Sequence, residues 1–256
     1  MRAPNYRGPL PAILAAARRR VLLAAWLGRP TPSTVEVDGF SLMFEPSLPD
    51  PRSTLGYSPS GFLLDALDVR PGERVLVLNC GAGWLSLTAQ RAGADVVSID
   101  PDPAAAHCLR RSSLVAGLGD PDIRIGDSLD PLRDGETFDL VIWIPPALDG
   151  PSASAPRAQR HVIGDRARIT RVLKGLLPRL RRGGRLMFPF PDRDATPWLH
   201  DALGSIGYRF TPVRYAEMPV LGPVRAYKAW PARHGAPGPV DSGAALAGAG
   251  WVLRDR

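Results

Sequence analysis

Arg74-Val75-Leu76-Val77-Leu78-Asn79-Cys80-Gly81-Ala82-Gly83-Trp84 is the stretch on which the reading of the fold turns. Four apolar residues in succession leave no polar face, so the segment reads as a strand buried on both sides, the situation of a parallel sheet between helices. It closes on Gly81 and Gly83, residues that accept torsions closed to others and let a ligand approach the backbone. A strand, a glycine turn and a helix opening at Trp84 imply a nucleotide-like cofactor over the turn; if the glycines only tighten the connection, they imply a plain strand-to-helix turn.

Downstream, apolar runs alternate with helical periodicity. Strands are expected at 74–78, 95–99, 122–125, 140–144 and 185–189, with helices near 84–91, 103–116 and 166–181. A helix over 201–207 and an antiparallel pair, 208–215 with 226–230, close the sheet. The fold class is α/β, a mostly parallel sheet with helices on both faces and a final antiparallel strand. Upstream, residues 9–28 have helical periodicity and end at Gly28 and Pro30. Residues 34–37 and 40–44 flank Asp38-Gly39, a hairpin turn signal. A proline-rich connection over 46–59 leads to a helix at 60–67. Three parts result: an N-terminal helix and hairpin appendage over 1–54, a lid or substrate-side element; a cofactor-binding domain over 55–231; and a Gly/Ala/Pro-rich tail over 232–256.

The chain has 256 residues, 45% of them hydrophobic and 22% charged, enough for one sizeable core and incompatible with wholesale disorder. Two cysteines, Cys80 and Cys108, neither staple a scaffold nor match a metal-ligand spacing, so no metal is expected. The apolar run Val21–Leu27 is too short to cross a bilayer, and no membrane association is expected. Arg18-Arg19-Arg20 ahead of it loosely resembles an export signal but lacks a cleavage site, leaving a cytoplasmic location as the expectation. Net charge is +3 over 1–60, −7 over 61–156 and +11 over 157–256. The basic final third suits an anionic partner. Its bias toward arginine over lysine, with no DNA- or RNA-binding motif, makes nucleic acid the less favoured one.

Three further features accompany the glycine turn. The next strand ends at Asp100, followed by Pro101; such an acid either accepts from both ribose hydroxyls or caps the following helix. Ile125-Gly126-Asp127-Ser128 places a second acid at a strand end, able to accept from an adenine amine or to act as an ordinary loop acid. The fourth strand runs out as Ile144-Pro145-Pro146-Ala147, a rim of carbonyl acceptors with few donors.

Together these elements resemble the class I S-adenosylmethionine-dependent methyltransferases. The similarity is greatest to the branch of release-factor glutamine and nucleic-acid amino-group methyltransferases, whose fourth strand ends in Asn-Pro-Pro-Tyr. Tyr57-Ser58-Pro59-Ser60, followed by Phe62-Leu63-Leu64-Asp65-Ala66-Leu67, resembles the segment before the glycine motif in that branch. The resemblance covers residues 55–210. It implies a Rossmann-like methyltransferase fold, S-adenosyl-L-methionine as cofactor, and methyl transfer as the activity. Carried over by position, it puts Gly81 and Gly83 beside the methionine part, Asp100 and Pro101 at the ribose, Asp127 and Ser128 at the adenine, and Tyr57 and Ser60 over the cofactor. Asn79 replaces an acid that fixes the methionine amine. Ile144, Pro145 and Pro146 form the rim shared by cofactor and acceptor.

That rim departs from the pattern, because Ile144 stands for asparagine and Ala147 for the aromatic residue. A planar nitrogen loses its orienting amide and its stacking face. The expected acceptor is therefore a nitrogen or oxygen nucleophile of a small molecule, a natural-product intermediate or a protein side chain, anionic if Arg157, Arg160, Arg166 and Arg168 meet it. His161 is the candidate base, with Asp165 second. Two other readings stand beside this one. A nicotinamide oxidoreductase shares the glycine turn and ribose acid, although Ser86 occupies the third glycine position. A non-catalytic cofactor-binding module accords with the lost polar groups at 79 and 144.

Overall fold

Val75 and Val77 face one side of their strand, Leu76 and Leu78 the other, and all four are buried. The computed structural model of the chain describes residues 33–45, 47–48, 59–145, 166–192, 196–218 and 222–232. The expected helix at 9–28, Tyr57, Pro146, Ala147, Arg157, Arg160, His161, Asp165 and the tail beyond 232 lie outside the described residues.

In chain order the elements are β1 (Ser33–Val37), β2 (Phe40–Phe44), α1 (Pro59–Leu64), β3 (Arg74–Leu78), α2 (Trp84–Arg91), β4 (Asp95–Asp100), α3 (Pro103–Val115), β5 (Asp122–Ile125), β6 (Phe138–Trp143), α4 (Arg166–Leu176), β7 (Leu180–Pro191), α5 (Thr196–Ile206), β8 (Tyr208–Met218) and β9 (Gly222–Pro231). Seven strands form one sheet in the order β5-β4-β3-β6-β7-β9-β8. β5, β4, β3, β6 and β7 are mutually parallel, and β9 is antiparallel to both β7 and β8. The order reverses at β3, which lies between β4 and β6. In such a sheet the crevice for a ligand opens beyond the carboxyl ends of the strands at that reversal.

One face buries Val75, Val77, Leu140 and Ile142 under α1, α2 and α3; the other buries Leu76, Leu78, Val141 and Trp143 under α4 and α5. Boundaries shift where local chemistry intervenes. The helix expected to reach 181 stops at Leu176, and Leu177–Arg179 tightens into a 3-10 turn around Pro178, which lacks the amide hydrogen to continue it. β7 consequently begins at Leu180 rather than 185, and β6 ends at Trp143 rather than 144.

The hairpin turn has positive φ at both central residues, 48° at Asp38 and 73° at Gly39, as a two-residue turn matched to strand twist requires. Val35, Phe40, Leu42 and Phe44 join the core that packs on the sheet. Met43 N–H donates to Ser112 Oγ of α3 at 2.8 Å, His107 Nδ1 lies 2.6 Å from Glu45, and Arg91 covers the Phe40 ring at 3.8 Å. The hairpin thus buttresses α2 and α3, with its turn against the end of α2 remote from the glycines. No helix among the described residues is long and apolar enough to cross a membrane.

Ion pairs at the opening ends of the strands link the sheet laterally. Arg124 of β5 meets Glu136, ahead of β6, at 2.7 Å, and Arg74 of β3 meets it at 3.0 Å. Hydrogen bonds from Arg124 hold the Glu136 carboxyl well below its ordinary range, at about 2. A lowered folded pKa stabilises above the unfolded value of about 4.5 and is lost as pH falls toward 2. Urea unfolding at pH 5 and pH 3 should therefore show a contribution of about 2 kcal/mol disappearing, and Glu136→Gln should lack that part of the slope.

Candidate active site

The site grows from the ends of β3, β4, β5 and β6. Beyond β3 the backbone stays tied to β4, with Asn79 N–H donating to Ile99 O at 2.9 Å. Asn79 has a φ of 57°, a left-handed conformation that asparagine tolerates better than most residues. Its Nδ2 donates to the carbonyl of Ile144 at 2.7 Å, and Ile144 N–H donates back to Leu78 O at 3.2 Å. The asparagine therefore locks the expected acceptor rim to the glycine turn, a bond the family's acid could not donate. Asn79→Asp would set a carboxylate oxygen against that carbonyl. We expect a loss of about 1–3 kcal/mol in urea unfolding, larger than for Asn79→Ala, and equal stability of the two variants would contradict this role.

The two glycines do different things. A Cβ on Gly81 would meet nothing within 4 Å among the described residues, so its backbone borders open space there. One on Gly83, whose φ is 91°, would lie 2.5 Å from Leu109 Cδ1. Gly83 is thus required for α2 to pack on α3, a packing reason for the glycine beside the expected cofactor one. Trp84 Nε1, at the start of α2, is buried without a hydrogen-bond partner among the described residues.

Asp100 is 6% exposed and binds both turns of the crevice. Its Oδ2 accepts from Gly81 N–H and its Oδ1 from Asp102 N–H, both at 2.9 Å. Capping α3 falls instead to Asp102, which accepts from Ala104 N–H at 2.9 Å, so the capping alternative for Asp100 is replaced by a bridging role. Pro101 sits inside the turn so formed. Across the ladder Asp100 faces Ile125, whose apolar side chain is 46% exposed at the mouth. Ser128, with φ of 52°, donates to Asp127 Oδ1 at 2.9 Å. Asp127 also forms an ion pair with Arg168 of α4.

Cys80 is buried; desolvation and the neighbouring Asp100 charge push its thiol well above the ordinary range, so it stays protonated and fills space. Burial likewise pushes Cys108 up to about 12. Ser86 is buried and accepts from Ser98 Oγ at 2.9 Å, leaving no glycine-like approach for a pyrophosphate. Trp143 is 2% exposed and packs on Phe188, a core residue as expected. Ser60 lies partly buried on α1. Among the described residues no cluster of three or more His, Cys, Asp or Glu is placed to hold a metal. Sequence reasoning missed Ile125, the Asn79–Ile144 bond and the Arg168–Asp127 pair. The first is signalled only by an apolar residue next to a strand-end glycine, and the others join residues far apart in sequence.

Residues 58–175 match the methyltransferase small domain family. A protein-L-isoaspartate O-methyltransferase from Roseiflexus sp. is 32% identical over 130 residues, 48% of this chain and 56% of that protein. A ribosomal protein L11 methyltransferase from Porphyromonas gingivalis is 42% identical over 85 residues, 32% of this chain and 27% of that one. Among solved structures, the T. thermophilus 16S rRNA N2 G1207 methyltransferase, in complex with AdoMet and guanosine, superposes with a TM-score of 0.56 at 21% identity, over 78% of this chain and 50% of that one. By these matches residues 58–175, just under half of the chain, are similar to methyltransferases, and the sheet has the fold of an S-adenosylmethionine-binding one. The chain spans from about a quarter to just over half the length of these curated relatives.

Proposed function

We propose that residues 55–231 carry a methyl transfer from S-adenosylmethionine to a nitrogen or oxygen nucleophile presented at Ile144 and Pro145. The observation that carries this reading is the Asp100 carboxylate at the β4 end, bonded to a glycine whose Cα borders open space at the sheet's reversal point. The residues fit the cofactor: Asp100 would take the ribose, Ile125 would cover one side of the adenine, Asp127 and Ser128 would meet its edge, and the orphaned Trp84 indole would suit a carboxylate. When bound, the sulfonium supplies an already activated methyl group, leaving the protein to align the acceptor and exclude water. The Ile144 carbonyl, held by Asn79, would accept one hydrogen from the acceptor and so aim its lone pair. His161 would take a proton where the nucleophile is a hydroxyl or a protonated amine.

The acceptors this rim suits are small molecules, natural-product intermediates or protein side chains, since it lacks the side-chain amide and the aromatic face that fix a planar base or glutamine nitrogen. Titration calorimetry with S-adenosylmethionine, its demethylated product and NADH, followed by label transfer to a panel of such acceptors, tests the reading. Binding of the first two without NADH is expected. NADH binding in their place would overturn it, and binding without any transfer would favour a non-catalytic module.

A further inference from the structure

On the outer side of α4, next to α5, lies an open surface groove of about 570 Å³ lined by Arg166, Ala167, Thr170, Arg171, Lys174 and Trp198. Helix α4 buries Ile169, Val172, Leu173 and Leu176 against the sheet and turns its basic side outward. Four of its residues are basic and none is acidic; Asp201 is the one acid on α5. Elsewhere Arg74, Arg124, Arg181, Arg185 and Lys228 each meet a carboxylate. Among the described residues Arg166, Arg171 and Lys174 have no acidic partner within ion-pair distance. Like charges spaced along a helix repel, so a merely solvated face has no reason to gather them without interspersed acids.

The groove also holds a flat surface. Trp198 is partly exposed, and the Arg166 guanidinium lies 5.3 Å from its ring centre. An aromatic plane with a stacked guanidinium, beside a row of cations, is the combination that binds a base together with the phosphates flanking it. From Arg166 to Lys174 the helix rises about 12 Å, a span suited to successive phosphates of an extended strand. The groove opens beside the cofactor crevice, because Arg168, on the same helix, pairs with Asp127 at the end of β5.

We infer that this groove docks single-stranded nucleic acid, with phosphates on Arg166, Arg171 and Lys174 and a base on Trp198. An acidic peptide would use the cations and leave the indole idle. The inference goes beyond the proposed methyl transfer and does not depend on it: a chain that bound the strand but methylated nothing would leave the docking surface standing.

Fluorescence anisotropy of the full chain with a labelled 12-nucleotide single-stranded RNA, from 50 to 200 mM salt, is the test. Three phosphate contacts contribute about −2 to the slope of log affinity against log salt, and Arg171→Gln with Lys174→Gln should reduce its magnitude by about 1.4. Both residues are exposed, so this variant should fold normally, checked by thermal unfolding. Trp198→Ala should weaken binding about 5- to 150-fold; Trp198→Phe should restore most of it and Trp198→Leu, which refills the packing without an aromatic face, should not, whereas a loss of packing alone would be rescued by both. Equal salt slopes for wild type and the double variant would overturn the inference. So would equal affinity for duplex RNA, or equally effective competition by polyglutamate or by anionic lipid vesicles.

Discussion

Replacing Asp100 by alanine should weaken S-adenosylmethionine binding by about 1.5–3 kcal/mol, roughly 10- to 150-fold, through loss of charged hydrogen bonds to the ribose. The same change should also lower stability, because Gly81 N–H and Asp102 N–H lose the carboxylate both point at, 2.9 Å away in each case. An unsatisfied buried amide costs about 1–3 kcal/mol, so the two losses together exceed what a surface acid would contribute. Asp100→Asn separates the effects: its one oxygen can serve one amide, so stability should recover in part while affinity stays low. Calorimetry at a temperature where each variant is folded reads the affinity, and urea unfolding reads the stability. Unchanged affinity in a folded Asp100→Ala variant would reduce this residue to a brace for the two turns.

Arg185→Ala should destabilise the fold by about 3–5 kcal/mol without altering the crevice. The guanidinium is almost fully buried and donates to Asp68 at 2.7 Å and to Glu73 at 2.7 Å. Lys228 adds a second cation on Asp68. Burial by itself would raise both carboxyls, yet the hydrogen bonds from Lys228 and Arg185 on Asp68, and from Arg185 and the Arg70 backbone on Glu73, outweigh it and hold both below their ordinary values. Lowered folded values stabilise above the unfolded pKa of about 4 and are lost as pH falls. Without Arg185 the carboxylates are left short of their cation, a defect that protonation relieves. The gap between wild type and variant should therefore be largest near neutral pH and narrow below pH 4. Urea unfolding at pH 7 and pH 3 checks this. A gap that stays constant with pH would mean that lost packing, not lost charge pairing, sets the effect. Asp68 and Glu73 precede β3, at the end opposite the glycine turn, so the cofactor dissociation constant of the folded variant should match wild type.

The parallel strands were legible because most hold a short run of apolar residues followed within a few positions by a glycine, an acid or a proline, signals that act locally. The hairpin was legible for the same reason, since Asp38-Gly39 carries its own positive torsions. Legibility faded where a residue's partner is distant in the chain. Asp100 read as either a ribose acceptor or a cap, and only the positions of Gly81 and Asp102 show that it bridges two turns. Gly83 read only as a cofactor-side glycine, and Leu109, 26 positions further on, adds a packing reason that no side chain fits there. Arg166 and Arg168 read alike as anion contacts; one neutralises Asp127 and the other stacks on Trp198, because their helix turns them toward different neighbours.

By itself the sequence determined the α/β class, the buried strand with its glycine turn, and the four strand ends at the crevice, because periodicity and turn chemistry are local properties of the chain. The tertiary structure alone decided how those ends are wired together. It set the order β5-β4-β3-β6-β7-β9-β8, the lock of Asn79 on the Ile144 carbonyl, and the gathering of Arg171, Lys174 and Trp198 into one basic groove. Each of these depends on which elements pack side by side, and that follows from burying two apolar faces of a single sheet at once rather than from any neighbouring residues in the chain.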